Sequence, residues 1–220
     1  MQAKVIITGA TGMVGEGVMH ECLLDPDIAE VLVINRRPGN LNHPKLKEII
    51  HTDILHFTGI NVDFTAYQAC FFCLGVSSVG MSQEDYYRLT YELTLHVAQT
   101  MASQNPEMIF CYVSGAGTDS TEKGRSAWAR VKGKTENDLM KLSFRKTYMF
   151  RPAFMTPTPG LKNVKNYYKY ISWLAPIIKM FFPPYISTLR ELALAMINAM
   201  KKGYPKQVLE VRDIKILAKA

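Results

Sequence analysis

No apolar run in this sequence is long enough to cross a bilayer. A spanning helix needs about 20 consecutive apolar residues, and the longest uncharged stretch, Phe64 to Gln83, is interrupted by Gln68, Gly75, Ser77, Ser78 and Gly80. No transmembrane helix is expected. Cysteine is sparse, 4 in 220 residues, which argues against a disulfide scaffold and for a reducing compartment. Cys70 and Cys73 form a CxxC inside the apolar run Ala69 to Leu74, where alternating side chains send positions three apart to opposite faces of a strand. Both are expected to be buried and inert, as are Cys22 and Cys111. The five histidines show no ligand spacing with them, so no metal site is expected. The first strand begins within a few residues of Met1, so no signal or transit peptide is expected, and the cytoplasm is the expected location.

Acid is missing from one long stretch. Between Leu139 and Arg190 there is no Asp or Glu but nine Lys or Arg. The net charge of +7 is therefore uneven: residues 1–110 carry 6 basic and 12 acidic side chains, residues 111–220 carry 20 and 7. Such a field implies an anionic cofactor, substrate or surface near the second half. A chain of 220 residues with 48% hydrophobic content can bury a core as one domain spanning 1–220.

What is present is a dense opening motif. The apolar run Val5-Ile6-Ile7 feeds into Thr8-Gly9-Ala10-Thr11-Gly12-Met13-Val14-Gly15, a strand, a glycine-rich turn and a helix start. Gly9 is expected to make the tight turn, Gly12 to admit phosphates to bare amides, and Gly15 to let the helix pack closely. Helical spacing runs from Met13 to Leu24 and stops at Asp25-Pro26. Val31 to Ile34 reads as a second strand, buried on both faces, whose exit holds Asn35-Arg36-Arg37. An acid there takes a ribose 2′-hydroxyl, whereas arginine accommodates a 2′-phosphate. NADP is therefore expected rather than NAD, unless the two arginines are simply solvated in a turn.

Further strands are expected at Leu46 to Ile50, Ala69 to Gly75 and Met108 to Val113. A long helix should run from its cap Ser82 to about Gln104. A second helix, capped by Ser187 or Thr188 with Glu191 in its first turn, should run to Lys201, and Gln207 to Val211 should form a closing strand. The repeated strand-helix alternation predicts an α/β fold with a doubly wound parallel sheet, a Rossmann fold.

These pieces, with Thr52-Asp53-Ile54, Cys73-Leu74-Gly75, Tyr112-Val113-Ser114, Lys132 and Arg151-Pro152-Ala153, resemble the short-chain dehydrogenase/reductase superfamily. The likeness is to its extended or atypical, epimerase/dehydratase-like branch. The resemblance implies an NADP(H)-binding oxidoreductase or epimerase-like enzyme acting on a small molecule, or else a catalytically silent NADP-binding regulator. It implies a cofactor held by Gly9, Thr11, Gly12, Met13, Val14, Gly15, Arg36, Arg37, Asp53, Ile54, Leu74, Gly75, Lys132 and Pro152. It also implies a catalytic serine at Ser114 and a lysine at Lys132 that binds the nicotinamide ribose. The superfamily's proton-donating tyrosine, four residues before that lysine, is replaced by Trp128, whose indole can donate a hydrogen bond but cannot act as an acid. Chemistry is then lost, or carried by another group such as Tyr86, Tyr87, Tyr91 or Tyr112, or Trp128 walls a substrate pocket. Trp128 as mere packing and Lys132 as mere surface charge also fit an amphipathic segment.

The aromatic and basic stretch Leu161 to Ile186, within a substrate-side lobe at 152–190, is expected to close over the nicotinamide as a lid. A membrane-surface role ranks below that, and nucleic acid last, since no nucleic-acid module is present.

Overall fold

The computed structural model describes residues 2–53, 57, 60–163 and 186–220. Ile54 and the greater part of the expected lid lie outside the described residues.

Seven parallel strands form one sheet, in the order β3-β2-β1-β4-β5-β6-β9. They are β1 (Ala3–Thr8), β2 (Ile28–Asn35), β3 (Leu46–Ile50), β4 (Ala69–Phe72), β5 (Ile109–Val113), β6 (Lys146–Arg151) and β9 (Val208–Glu210). A separate parallel pair joins β7 (Phe154–Thr156) to β8 (Ile186–Thr188). The sheet grows outward in both directions from β1, and a ligand crevice belongs at the carboxyl ends where the order reverses, between β1 and β4.

Alternation along the strands sets two cores. Val5, Ile7, Val31, Val33 and Phe71 face helices α1 (Met13–Leu24), α5 (Leu189–Lys202) and α6 (Val211–Leu217). Ile6, Leu32, Ile34, Cys70, Phe72 and Tyr112 face the other side, covered by α3 (Leu93–Gln104) and α4 (Ala127–Leu139), with the short α2 (Gln83–Tyr87) leading into α3. Cys70 joins one core and Cys73 packs against the other, as their spacing requires. Burial raises both thiols above their usual range.

The caps fall where side-chain chemistry puts them. Ser82 accepts the Asp85 amide at the start of α2, and Thr188 with Glu191 forms a reciprocal capping box at α5. One expectation changes: the helix from Ser82 to Gln104 is interrupted by a π-turn at Arg88–Glu92. A π-turn inserts one extra residue per turn. Here it places Leu89 beside the glycine loop while Tyr91 reaches across to Asp138 on α4 at 2.8 Å.

Helix α4 sits unusually close to the loop before it. A β-carbon on Gly133 would lie 1.8 Å from the Asp119 carbonyl oxygen. The site residues on α4 depend on that approach, so Gly133→Ala should destabilise the protein by about 1–3 kcal/mol through overpacking against backbone. Urea denaturation of the two forms measures this.

Candidate functional site

At the exit of β1 the chain turns through Gly9 at φ +74°, a region closed to most side chains. A β-carbon there would also lie 2.8 Å from the Leu74 backbone, and one on Gly15 would lie 2.2 Å from the Gly9 carbonyl. The two glycines thus let β4's exit and the start of α1 close on the same turn. Gly12 caps α1 in an extended conformation without a side-chain hydrogen bond, leaving the first amides of the helix without a side-chain cap, while the first-turn carboxylate, Glu16, is turned to the Lys162 and Asn163 amides. Met13 and Val14 point back into the core.

Above this turn lies a cavity of about 350 Å³ lined by Gly9, Thr11, Gly12, Arg36, Thr52, Asp53, Leu74 and Gly75, with Leu89 and Leu93 closing it. A β-carbon on Gly75 would meet nothing within 4 Å, so the strand exit stands open. An uncapped helix end, a bare glycine turn and an arginine around one cavity fit the adenosine and pyrophosphate of a dinucleotide. Arg37 is elsewhere. It lines a second cavity of about 340 Å³ with Asn35, Glu48, Glu16 and Lys162, where Asn35 is held by Glu48 at 2.7 Å. The adjacent arginines point to different sides of β2's exit, as successive residues leaving a strand do. Pro152 is buried, its carbonyl accepting the Ala116 amide at 2.8 Å, and it lines neither cavity.

The second group of site residues is built on β5, α4 and β6. Ser114, at the end of β5, donates its hydroxyl to Glu136 Oε1 at 2.5 Å. Lys132 Nζ donates to the Ser114 carbonyl at 2.5 Å. Glu136, one turn beyond Lys132, is fully buried and paired with Arg151, whose Nε lies 3.1 Å and 3.2 Å from its two oxygens. Arg151 also binds Ser120 at 2.5 Å and Glu210 at 3.1 Å. The sequence reading missed Glu136. Its signal was an acid at i+4 from Lys132, on the same helix face, with the arginine before Pro152 as counter-ion.

Burial lowers the Lys132 amine to about 8, with Glu136 pulling the other way. Trp128 stands one turn before Lys132, its ring against the Ser114 loop: a β-carbon on Gly117 would sit 3.5 Å from Trp128 Cη2. Among the tyrosines considered as acids, Tyr112 is 2% exposed and pushed far up by burial. Tyr91 is tied to Asp138 and raised, first by burial. Tyr86 is likewise raised by burial. Tyr86 and Tyr87 share a further cavity with Trp128.

The fold and the glycine-turn cavity define a dinucleotide-binding Rossmann protein. The model of the NAD dependent epimerase/dehydratase family matches residues 5–127, and the chain belongs to that family. Among solved structures it is similar to the Bordetella bronchiseptica enzyme WbmF in complex with NAD+ (TM-score 0.67, 14% identity, covering 99% of this chain and 77% of that one). It is also similar to a short-chain dehydrogenase/reductase from Saccharomyces cerevisiae (TM-score 0.67, 13% identity, covering 99% and 98%). These likenesses concern the fold. By sequence it is similar to protein fmp52, mitochondrial, of Emericella nidulans, 26% identical over 159 residues, which are 70% of this chain and 67% of that protein. It matches FMP52, mitochondrial, of Saccharomyces cerevisiae at 27% over 153 residues, 67% of this chain and 64% of that protein. The chain thus spans about two thirds of the length of these relatives. Their names correct the cytoplasmic expectation, which rested on the position of the first strand: these relatives are mitochondrial.

The Lys132 environment yields a titration. Its amine should ionise near pH 8, read by NMR of the reductively ¹³C-methylated protein, and Glu136→Gln should move that midpoint down because the carboxylate favours the charged form. The folded value lies below the ordinary 10.5, so between those two pH values the unfolded chain binds more protons and Lys132's contribution to stability rises with pH. Any gain in melting temperature from Lys132→Met should therefore be larger at pH 7 than at pH 10.

Proposed function

We propose that the chain binds NADP(H) and acts on a small molecule as an oxidoreductase or epimerase-like enzyme in which Lys132 replaces the tyrosine as proton carrier. The observation that carries the cofactor reading is Arg36 in the glycine-turn cavity, at a strand exit whose own residues, Asn35-Arg36-Arg37, include no acid. Its fork suits a 2′-phosphate. The bound cofactor would supply or accept a hydride, and this chain's residues would do the rest. The α1 end and Gly12 would receive the pyrophosphate, Asp53 and Leu74 would flank the adenosine, and Lys132 would meet the nicotinamide ribose.

Support for the lysine comes from the geometry around Ser114. Glu136 is ion-paired with Arg151 and so acts as a hydrogen-bond acceptor, and the serine's one proton is directed to it. The Ser114 oxygen then offers lone pairs rather than a proton. A lysine lowered to about 8 holds and releases a proton near neutral pH, which an indole cannot do.

Fluorescence titration should show NADPH binding at least tenfold more tightly than NADH, and Arg36→Ala should erase most of that difference. Equal or tighter binding of NADH would refute the preference. Lys132→Met should lower turnover on simple carbonyl compounds by about a hundredfold, the usual worth of a positioned general acid, measured as NADPH oxidation.

A further inference from the structure

Between the start of α2 and the start of α4 lies a cavity of about 340 Å³ that differs in chemistry from the one at the glycine turn. Its walls are Trp128 and Val131 from α4, and Tyr86, Tyr87 and Met81 from α2 and its approach. Among the described residues no carboxylate lines it, and the one cation is Arg130. That guanidinium is committed locally, donating to the Gly124 carbonyl at 2.8 Å and the Arg125 carbonyl at 3.0 Å. Ser82, also at the cavity, is engaged by Asp85 at 2.8 Å.

The aromatic walls are held in place. Tyr87 packs on Tyr91 with ring centres 4.8 Å apart, and Tyr91 is tied to Asp138. Tyr86 is 4% exposed, and burial keeps its phenol protonated and neutral. Trp128 packs on the Ser114 loop at Gly117 and Val131 is the chain neighbour of Lys132, so the wall on which a molecule would stack is the one that carries the lysine. At the rim, next to Ser78, Val79 is 88% exposed, an apolar side chain presented to whatever enters.

We infer that this cavity is the substrate site and that it takes a small, flat, uncharged aromatic molecule, with Trp128 as the stacking wall. The volume is at the small end of the range for ligand pockets, and rigid aromatic walls with a compensated cation favour π-stacking over recognition of charge. A sugar nucleotide, of the kind named for the Bacillus cereus UDP-glucuronic acid 4-epimerase, carries a diphosphate that calls for uncommitted cations. Among the described residues the cavity offers none, and its side-chain donors, Ser78, Gln83, Tyr87 and the Trp128 indole, are all neutral. The inference deepens the reading above by naming a substrate class, and rests on it for placing the reaction beside Lys132.

The test is calorimetric titration of the whole protein with 2-naphthaldehyde and, separately, with UDP-glucose, each alongside NADPH. The naphthaldehyde should bind and UDP-glucose should not. Trp128→Ala and Val131→Asp should each weaken naphthaldehyde by roughly tenfold or more, and should leave NADPH affinity within about twofold, which also certifies the fold. Two independent substitutions on α4 guard against one of them failing to fold. Absence of naphthaldehyde binding, undiminished binding in both variants, or tighter binding of UDP-glucose would overturn the inference. Loss of NADPH preference with naphthaldehyde binding intact would instead sink the cofactor reading alone.

Discussion

The ion pair between Glu136 and Arg151 is the contact on which the half of the molecule around Ser114 and Lys132 depends. It is buried at both ends, with Glu136 fully enclosed and Arg151 nearly so. Such a pair gains little over a well-packed apolar core, but removing one partner costs about 3–5 kcal/mol because the other is left buried and charged. Its position matters more than its strength. Glu136 comes from α4, Arg151 from β6, and the remaining donors and acceptors reach Ser114 after β5, Glu210 at the end of β9 and Ser120 in the loop between. One pair therefore registers α4 against the last three strands of the sheet, and α4 carries Lys132 and Trp128.

The cofactor half is organised differently, by steric absence rather than by charge. Gly9 and Gly15 allow three backbone segments to meet where side chains would collide. The helix end they expose owes its positive character to backbone amides rather than to a side-chain cation. The uneven charge of the chain fits this division: the first half can be net acidic because its anion site is made of amides and one arginine, while the positive excess lies in the second half.

Much of this was legible in the sequence, for identifiable reasons. Helix α1 and strand β3 have the boundaries that apolar spacing predicts, because proline and glycine punctuate them. The opposite facing of Cys70 and Cys73 followed from strand alternation alone. The π-turn at Arg88–Glu92 was not legible, since its extra residue is imposed by packing of Leu89 and Tyr91 on two different partners. Nor was the separation of Arg36 from Arg37, because residue type at a strand exit does not tell which side of the exit each side chain takes. Glu136 was hidden for a related reason. A buried acid looks like any helix-surface glutamate until its counter-ion, 15 residues away on β6, is brought beside it by the fold.

The replacement of tyrosine by Trp128 makes sense once these contacts are considered together. With its proton directed to Glu136, Ser114 offers an acceptor on its open side, and Trp128 can offer one N–H donor without a titrating proton. The remaining ionisable donor is Lys132, lowered into the working range by the same burial that packs α4 against Ser114. A phenol at position 128 would place a second titrating group near that amine and raise its pKa in the phenolate form. The tryptophan leaves the lysine to titrate on its own and turns the vacated acid position into an apolar wall. Under the proposed function the change would move proton transfer one helical turn along α4 and give its former place to substrate contact.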